Sequence, residues 1–257
     1  MKVAIGGFDG MHKAHLEIIK RADAYIVIEK NTNLTPTFDR IEYSSKLLDL
    51  LFLNEIKHLK ASQFINYLKT KHITKIIVGE DFRFGYQREG NLTLLKKYFD
   101  VEVIKEIKYK NTPIHSRIIR EYIKKDIEYA NKLLGHNYKI KAIQIKGQGI
   151  GKKELVATIN LKPIKNYLLP SNGVYLTRIN NLPSLTFIGN RSTDNNFSIE
   201  THILKEFSHN SLYHIEFIKK IRDNKKFSSL NELKKEIQND ISTALKYFDN
   251  SLKTLKI

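Results

Sequence analysis

Short apolar runs separated by glycine-rich turns dominate the first half of the chain. Lys2–Ile5 reads as a strand and Gly6–Gly10 as a loop. His12–Ala22 reads as a helix, with Leu16, Ile18, Ile19 and Ala22 supplying its apolar positions. Tyr25–Ile28 reads as a second strand. Strand, glycine-rich turn, helix, strand is the opening of a parallel α/β sheet. Lys30–Arg40 is polar and irregular. The pattern then predicts helices around 43–52 and 61–71, a strand over Ile73–Val78, a loop through Gly90, a helix over Leu92–Tyr98 and a strand over Val101–Ile107. Helices over 115–124 and 126–134 close this half, the second ended by Gly135.

Near residue 139 the period changes. Lys139–Ile145 alternates polar and apolar, as a half-buried strand does. Glycines follow at 147, 149 and 151. Gly173–Ile179, Leu185–Ile188, Ser198–Leu204 and Leu212–Ile218 are strand-like runs between turn residues. Ser229–Phe248 reads as an amphipathic helix with Leu230, Leu233, Ile237, Ile241 and Leu245 on one face, opened by a Ser229/Glu232 capping box. The expected architecture is therefore α/β plus β: a parallel sheet over 1–138, then a small β-barrel with a terminal helix over 139–257.

Composition changes this picture little. The 257 residues contain no cysteine, which excludes disulfides, thiolate metal cages and a cysteine nucleophile. No apolar run approaches the ~18 residues of a membrane span, and the N-terminus lacks a signal-peptide pattern, so a soluble, cytoplasmic protein is expected. The net charge is +17. Residues 1–139 carry 25 basic and 17 acidic side chains, and residues 140–257 carry 19 and 10. An even excess without an aromatic-plus-basic cluster argues against RNA binding.

Candidate chemistry lies first at the opening β-to-α junction. Gly7, Phe8, Asp9 and Gly10 sit where free helix N–H groups and close backbone approach suit a phosphate. His12 and His15, one turn apart, both reach one side of the helix. As donors they offset charge on a leaving pyrophosphate. A half metal site and surface histidines are the other readings of these two residues taken alone.

Gly7–His15 resembles the GxFDGxHxGH signature of bacterial FAD synthetases, a branch of the HxGH nucleotidyltransferases. Gly79–Gly85, with Arg88 and Gly90, is similar to that family's GxDFRFGxxRxG. Ile114–Arg120 resembles its ISSTxIR, and Leu133–Tyr138 its LLGRxY. The second half resembles the riboflavin kinase module that follows this synthetase in bifunctional enzymes. Gly147–Gly151 resembles its glycine-rich flap, Glu154–Asn160 its LGFPTAN, Pro170–Tyr175 its PxxGVY, Gly189–Thr193 its GxRPT, and Ile221–Leu233 its IRxxxKFxSxxxL.

The resemblance implies a Rossmann-like FMN adenylyltransferase domain over 1–138 and a riboflavin kinase barrel over 139–257. It implies ATP, riboflavin and FMN as substrates, FAD as product and Mg²⁺ as cofactor. It assigns ATP contacts to Gly7–Gly10, Ser116, Gly147, Gly151, Thr158 and Asn160, with the last two also at the metal. His12, His15 and Arg120 would stabilise charge in adenylyl transfer, and Glu200, projecting into the barrel mouth, would be the base of the kinase. Asp81, Phe82 and Phe84 are its candidates beside the flavin; simple core packing is the alternative for the two rings. The chain departs from the family pattern at Ala14, His115, Arg117, Leu155 and Ala157, and Arg117 is the expected substitute charge in the phosphate motif. A monofunctional FAD synthetase with an impaired barrel, and a non-catalytic basic nucleotide- or RNA-binding protein, are the competing readings.

Overall fold

The computed structural model describes residues 1–30, 32–146, 157–191 and 196–254. They form two compact units, one of Met1–Arg120 with Leu133–Gly135, the other of Glu121–Lys132 with the described residues from His136 onward.

In the first unit, β1 (Lys2–Gly6), β2 (Ala24–Glu29), β3 (Leu47–Phe52), β4 (Lys75–Gly79) and β5 (Asp100–Ile104) build a sheet in the order β3-β2-β1-β4-β5. Every pairing is parallel. The central strands are short, apolar and β-branched because both faces are covered. Val3, Ile5, Ile76 and Val78 pack on one face against Phe64, Ile65 and Leu68 of α3 (Ala61–Thr70). Ala4, Val27 and Ile77 pack on the other against Ile18 and Ile19 of α1 (Lys13–Lys20). The chain leaves β1 toward β2 and β3, then crosses back to β4 on β1's other side. The crevice beyond the carboxyl ends of β1 and β4 is thus a topological switch point, the usual ligand position in such sheets.

Several predicted elements differ. The expected helix around 43–52 is instead edge strand β3, followed by a single turn, α2 (Leu53–Ile56). Leu47–Phe52 is a six-residue run, LLDLLF, too short for periodicity to separate strand from helix, and the open edge of β2 decides it. The irregular 30–40 segment holds a 3-10 helix over Thr37–Tyr43. The 92–98 helix is shorter, α4 (Leu92–Leu95), and a small hairpin of β6 (Lys108–Tyr109) and β7 (Thr112–Pro113) precedes α5 (Ser116–Lys125) and α6 (Ile127–Leu134).

In the second unit, β8 (Tyr138–Ile145), β9 (Ile159–Pro163), β10 (Gly173–Ile179), β11 (Leu182–Asn190), β12 (Phe197–Ile203) and β13 (Tyr213–Arg222) close a barrel in the order β10-β11-β12-β9-β8-β13. Tyr175, Ile188, Ile199, Ile215 and Phe217 are buried. So are Thr177, Ser184, Thr186 and Thr201, which satisfy one another through hydroxyl contacts of 2.8–2.9 Å. Outside the barrel, α7 (Leu230–Thr254) lays Ala244 and Phe248 on Val174, Leu176 and Leu185. Asp240 of α7 takes Arg222 Nε and Nη2 at 3.0 and 2.7 Å. Of the predicted apolar face, Ile241 packs on the wall and Leu233 and Ile237 line the groove beside it, whereas Leu230 and Leu245 are exposed. Ser229 accepts from Glu232 N–H as predicted, while the Glu232 carboxylate returns to Ser228. No helix among the described residues is long and apolar enough to cross a membrane.

Candidate active sites

The β1-to-α1 loop is held in an unusual shape. Phe8, Gly10 and Met11 have φ of 44°, 94° and 42°. At the non-glycine residues Phe8 and Met11 this conformation is strained and persists only when the surroundings over-determine it. The φ of Gly10 favours glycine, and a Cβ there would also lie 3.0 Å from Leu34 Cδ1, which would have to give way. Phe8 is buried, with its ring edge-on to His15 and Tyr25. Asp9 is buried and braces the loop: Oδ1 accepts Leu34 and Thr35 N–H at 3.0 Å, and Oδ2 accepts Arg120. Arg120 also donates through Nε to Asn33 Oδ1 at 3.0 Å.

A second clamp lies beneath. Arg40 is 0% exposed, yet each of its five N–H groups has an acceptor. Nε reaches Phe8 O at 3.2 Å, and Nη2 reaches Gly7 O and Thr32 Oγ1 at 3.0 and 2.9 Å. Nη1 reaches Glu29 Oε2 and Thr37 O at 2.7 and 2.8 Å. The side chain thus draws two carbonyls of the loop toward the core. Sequence reasoning passed over Arg40, because one arginine in an irregular polar stretch has no periodic signal.

His12 caps α1, its Nδ1 accepting His15 N–H at 3.3 Å. The two imidazoles stack with centroids 3.4 Å apart. Ser116 Oγ donates to Asp9 O at 2.7 Å and lies 3.5 Å from His12 Nε2. Thus His12, His15, Ser116 and Arg120, predicted together, meet at one end of the sheet. They line a cavity of about 670 Å³ with Gly7, Phe8, Asp9 and Ala14. A second cavity of about 400 Å³ shares Gly7, Phe8, His15, Lys30, Gly79 and Asp81, and extends to Phe82 and Phe84. Both rings also belong to the core, each within 6 Å of another aromatic ring. Arg117 corrects one expectation: it is exposed and does not line the cavity, whereas His115 does.

Burial, followed by the charges of His12, Arg40 and His115, holds the His15 pKa well below 6.5. His15 is therefore neutral at pH 7, and its buried Nδ1 has no hydrogen-bond partner among the described residues. A depressed histidine pKa means the unfolded chain binds this proton first. His15 therefore costs stability as pH falls below 6.5. A polyphosphate anion reverses the bias. Binding of inorganic pyrophosphate at pH 6.5 is expected to take up protons, read by calorimetry in buffers of differing ionisation enthalpy. A His15→Asn variant is expected to lose most of that uptake; undiminished uptake refutes the assignment.

At the barrel, Glu200 and Asn160 are direct partners on β12 and β9 and so share a face. Strand alternation turns Thr201 into the hydroxyl cluster and Glu200 to the opposite side. Glu200 accordingly does not project into the barrel mouth; it lines a groove between the wall and α7. Ser198 Oγ donates to Glu200 Oε1 at 2.9 Å, and Arg191 Nη1 lies 3.7 Å away. The groove, about 190 Å³, is lined by Thr158, Phe187, Glu200, Phe227, Leu233 and Ile237 among others. A neighbouring cavity of about 440 Å³ contains Asn160, Lys162, Phe197 and Ser198, with Arg191 on both. Gly147, Gly151 and Leu155 lie outside the described residues, as do Ser192 and Thr193.

Comparison with known proteins agrees with both halves. The FAD synthetase family profile matches residues 28–118, and the riboflavin kinase profile matches residues 134–248. A bifunctional riboflavin kinase/FMN adenylyltransferase of Buchnera aphidicola subsp. Schizaphis graminum is 34% identical, over 96% of this chain and 94% of its own length. The chain belongs to the bifunctional riboflavin kinase/FMN adenylyltransferase family. The relative from Escherichia coli K12 carrying the same description is 27% identical over 96% of this chain and 92% of its own. Among solved structures, one titled macrolide-efflux protein from Streptococcus pneumoniae superposes with a TM-score of 0.80 at 22% identity, covering 95% of this chain and 93% of its own, a likeness of fold. The two sites thus lie on a family scaffold, with Ala14, His115, Arg117 and Ala157 as this chain's departures.

Proposed function

We propose that this chain makes FAD in two steps, phosphorylating riboflavin with ATP in residues 139–257 and adenylylating FMN with ATP in residues 1–138. The observation that carries this reading is the duplication of one arrangement. Each unit holds two neighbouring cavities that mix apolar walls with polar groups, and charged side chains line both of each pair: Lys30 and Asp81 in the first unit, Arg191 in the second. A nucleotide and a flavin need that combination.

In the kinase step, Glu200 takes the proton of the riboflavin 5′-hydroxyl, whose oxygen bonds to the γ-phosphorus of ATP. The bond from that phosphorus to the β-bridging oxygen breaks and ADP leaves. In the adenylyl step the FMN phosphate is already anionic, so no base is needed. Its oxygen bonds to the α-phosphorus, the bond to the bridging oxygen breaks, and pyrophosphate carries away the electron pair. The loop N–H groups, His12, His15, Ser116 and Arg120 place the phosphates and offset the charge that develops.

Among the described residues, no three histidine, aspartate or glutamate side chains form a metal cage. Thr158 and Asn160 offer neutral oxygens, the donor set suited to Mg²⁺ held mainly by ATP and water. The ion would neutralise phosphate charge. Incubating the protein with riboflavin, ATP and Mg²⁺ is expected to yield FMN and then FAD on chromatography. FAD from FMN but none from riboflavin would leave a synthetase alone; no conversion of either flavin refutes the proposal.

A further inference from the structure

The residue just before α5 is a histidine where the family pattern has serine. His115 immediately precedes Ser116, the first residue of α5, and lines the 670 Å³ cavity together with His12, His15, Ser116 and Arg120. It opposes the protonation of His15. Its Nε2 is 2.9 Å from Glu106 Oε1. Glu106 is fixed in turn: its N–H donates to Glu80 Oε1 at 3.1 Å, and its carboxylate faces Lys108 Nζ at 3.3 Å.

The same cavity is lined by Asp9, Glu80, Asp81 and Glu106 on the acidic side and by Lys30, Lys105 and Arg120 on the basic side. A lone carboxylate on this wall would repel polyphosphate. Here Glu106 is shared by His115 and Lys108, which hold it below the usual carboxylate range. Lys105 lines the same cavity. The Glu106 carboxylate at Nε2 fixes the plane of the imidazole. Arg120 is committed to Asp9 and Asn33, so its fork is partly used inside the loop. Among the described residues, the side chain of His115 keeps the Glu106 contact.

We propose that His115, oriented by Glu106, binds the β- and γ-phosphates of the nucleotide in the first unit and the pyrophosphate that leaves. This rests on the adenylyl-transfer reading above for the identity of the nucleotide, while its ligand chemistry is simply polyphosphate.

A charge-assisted contact of this kind is worth about ten- to hundredfold in affinity. In a His115→Ser variant the KM for ATP in FAD formation is expected to rise about tenfold, and calorimetric affinity for inorganic pyrophosphate to fall by the same factor. The KM for FMN is expected to move less than twofold, with an unchanged melting temperature. His115→Lys, which supplies an ammonium in place of the imidazole, is expected to recover most of the pyrophosphate affinity. A His115→Ser protein that binds pyrophosphate as tightly as its parent overturns the proposal, as does a parent that binds none. If the parent makes no FAD from FMN, the adenylyl-transfer reading falls separately. The pyrophosphate titration then decides His115 alone, a tenfold loss supporting it and equal affinity overturning it.

Discussion

Replacing Glu200 by glutamine is expected to slow riboflavin phosphorylation by about 10²–10⁴-fold, the usual contribution of a positioned base. FMN should still be converted to FAD at the parental rate, because Glu200 belongs to the second unit. The amide keeps the size of the carboxylate and can still accept from Ser198, now at 2.9 Å, so the groove should hold its shape. What disappears is the capacity to take a proton. The measurement is the separate rate of each step, starting from riboflavin and from FMN. A Glu200→Gln protein that phosphorylates riboflavin within tenfold of its parent excludes Glu200 as the base.

An Arg40→Met protein is expected to lose about 3–5 kcal/mol of stability, the cost of leaving one member of a buried ion pair without its partner. Arg40 and Glu29 are 0% and 6% exposed and 2.7 Å apart. The loss should show as a lower urea midpoint, together with impaired FAD formation as the Gly7 and Phe8 carbonyls lose their donors. Pairing Arg40→Met with Glu29→Gln is expected to cost less than the sum of the single changes, since the uncompensated charge is then gone. Strict additivity would show that the pair is not coupled. Acid probes the same clamp. Burial pushes the Glu29 pKa up, but hydrogen bonds from Thr32 and the charge of Arg40 outweigh it and bring it below 4.5. This stabilisation is therefore full above pH 4.5 and is lost as pH falls through the lower folded value.

The residues of the first site were legible because their signal is local. A glycine-rich turn between an apolar strand and an amphipathic helix specifies a helix N-terminus, and two histidines one turn apart follow from helix geometry. Ser116 and Arg120 needed motif order, since nothing local ties them to Asp9, more than a hundred residues away. Arg40 escaped for the same reason. Its five acceptors are spread over residues 7–37, and only the folded chain gathers them.

The amino-acid pattern alone determined that a parallel α/β unit precedes an antiparallel barrel, and where the glycine-rich β-to-α turn lies, because both follow from periods of a few residues. Tertiary structure decided whether LLDLLF became helix or strand, which way Glu200 faces, and that His115 rather than Arg117 reaches the cavity. Those outcomes depend on a free sheet edge, on barrel closure and on the packing of elements distant in the chain. A short sequence window contains none of these.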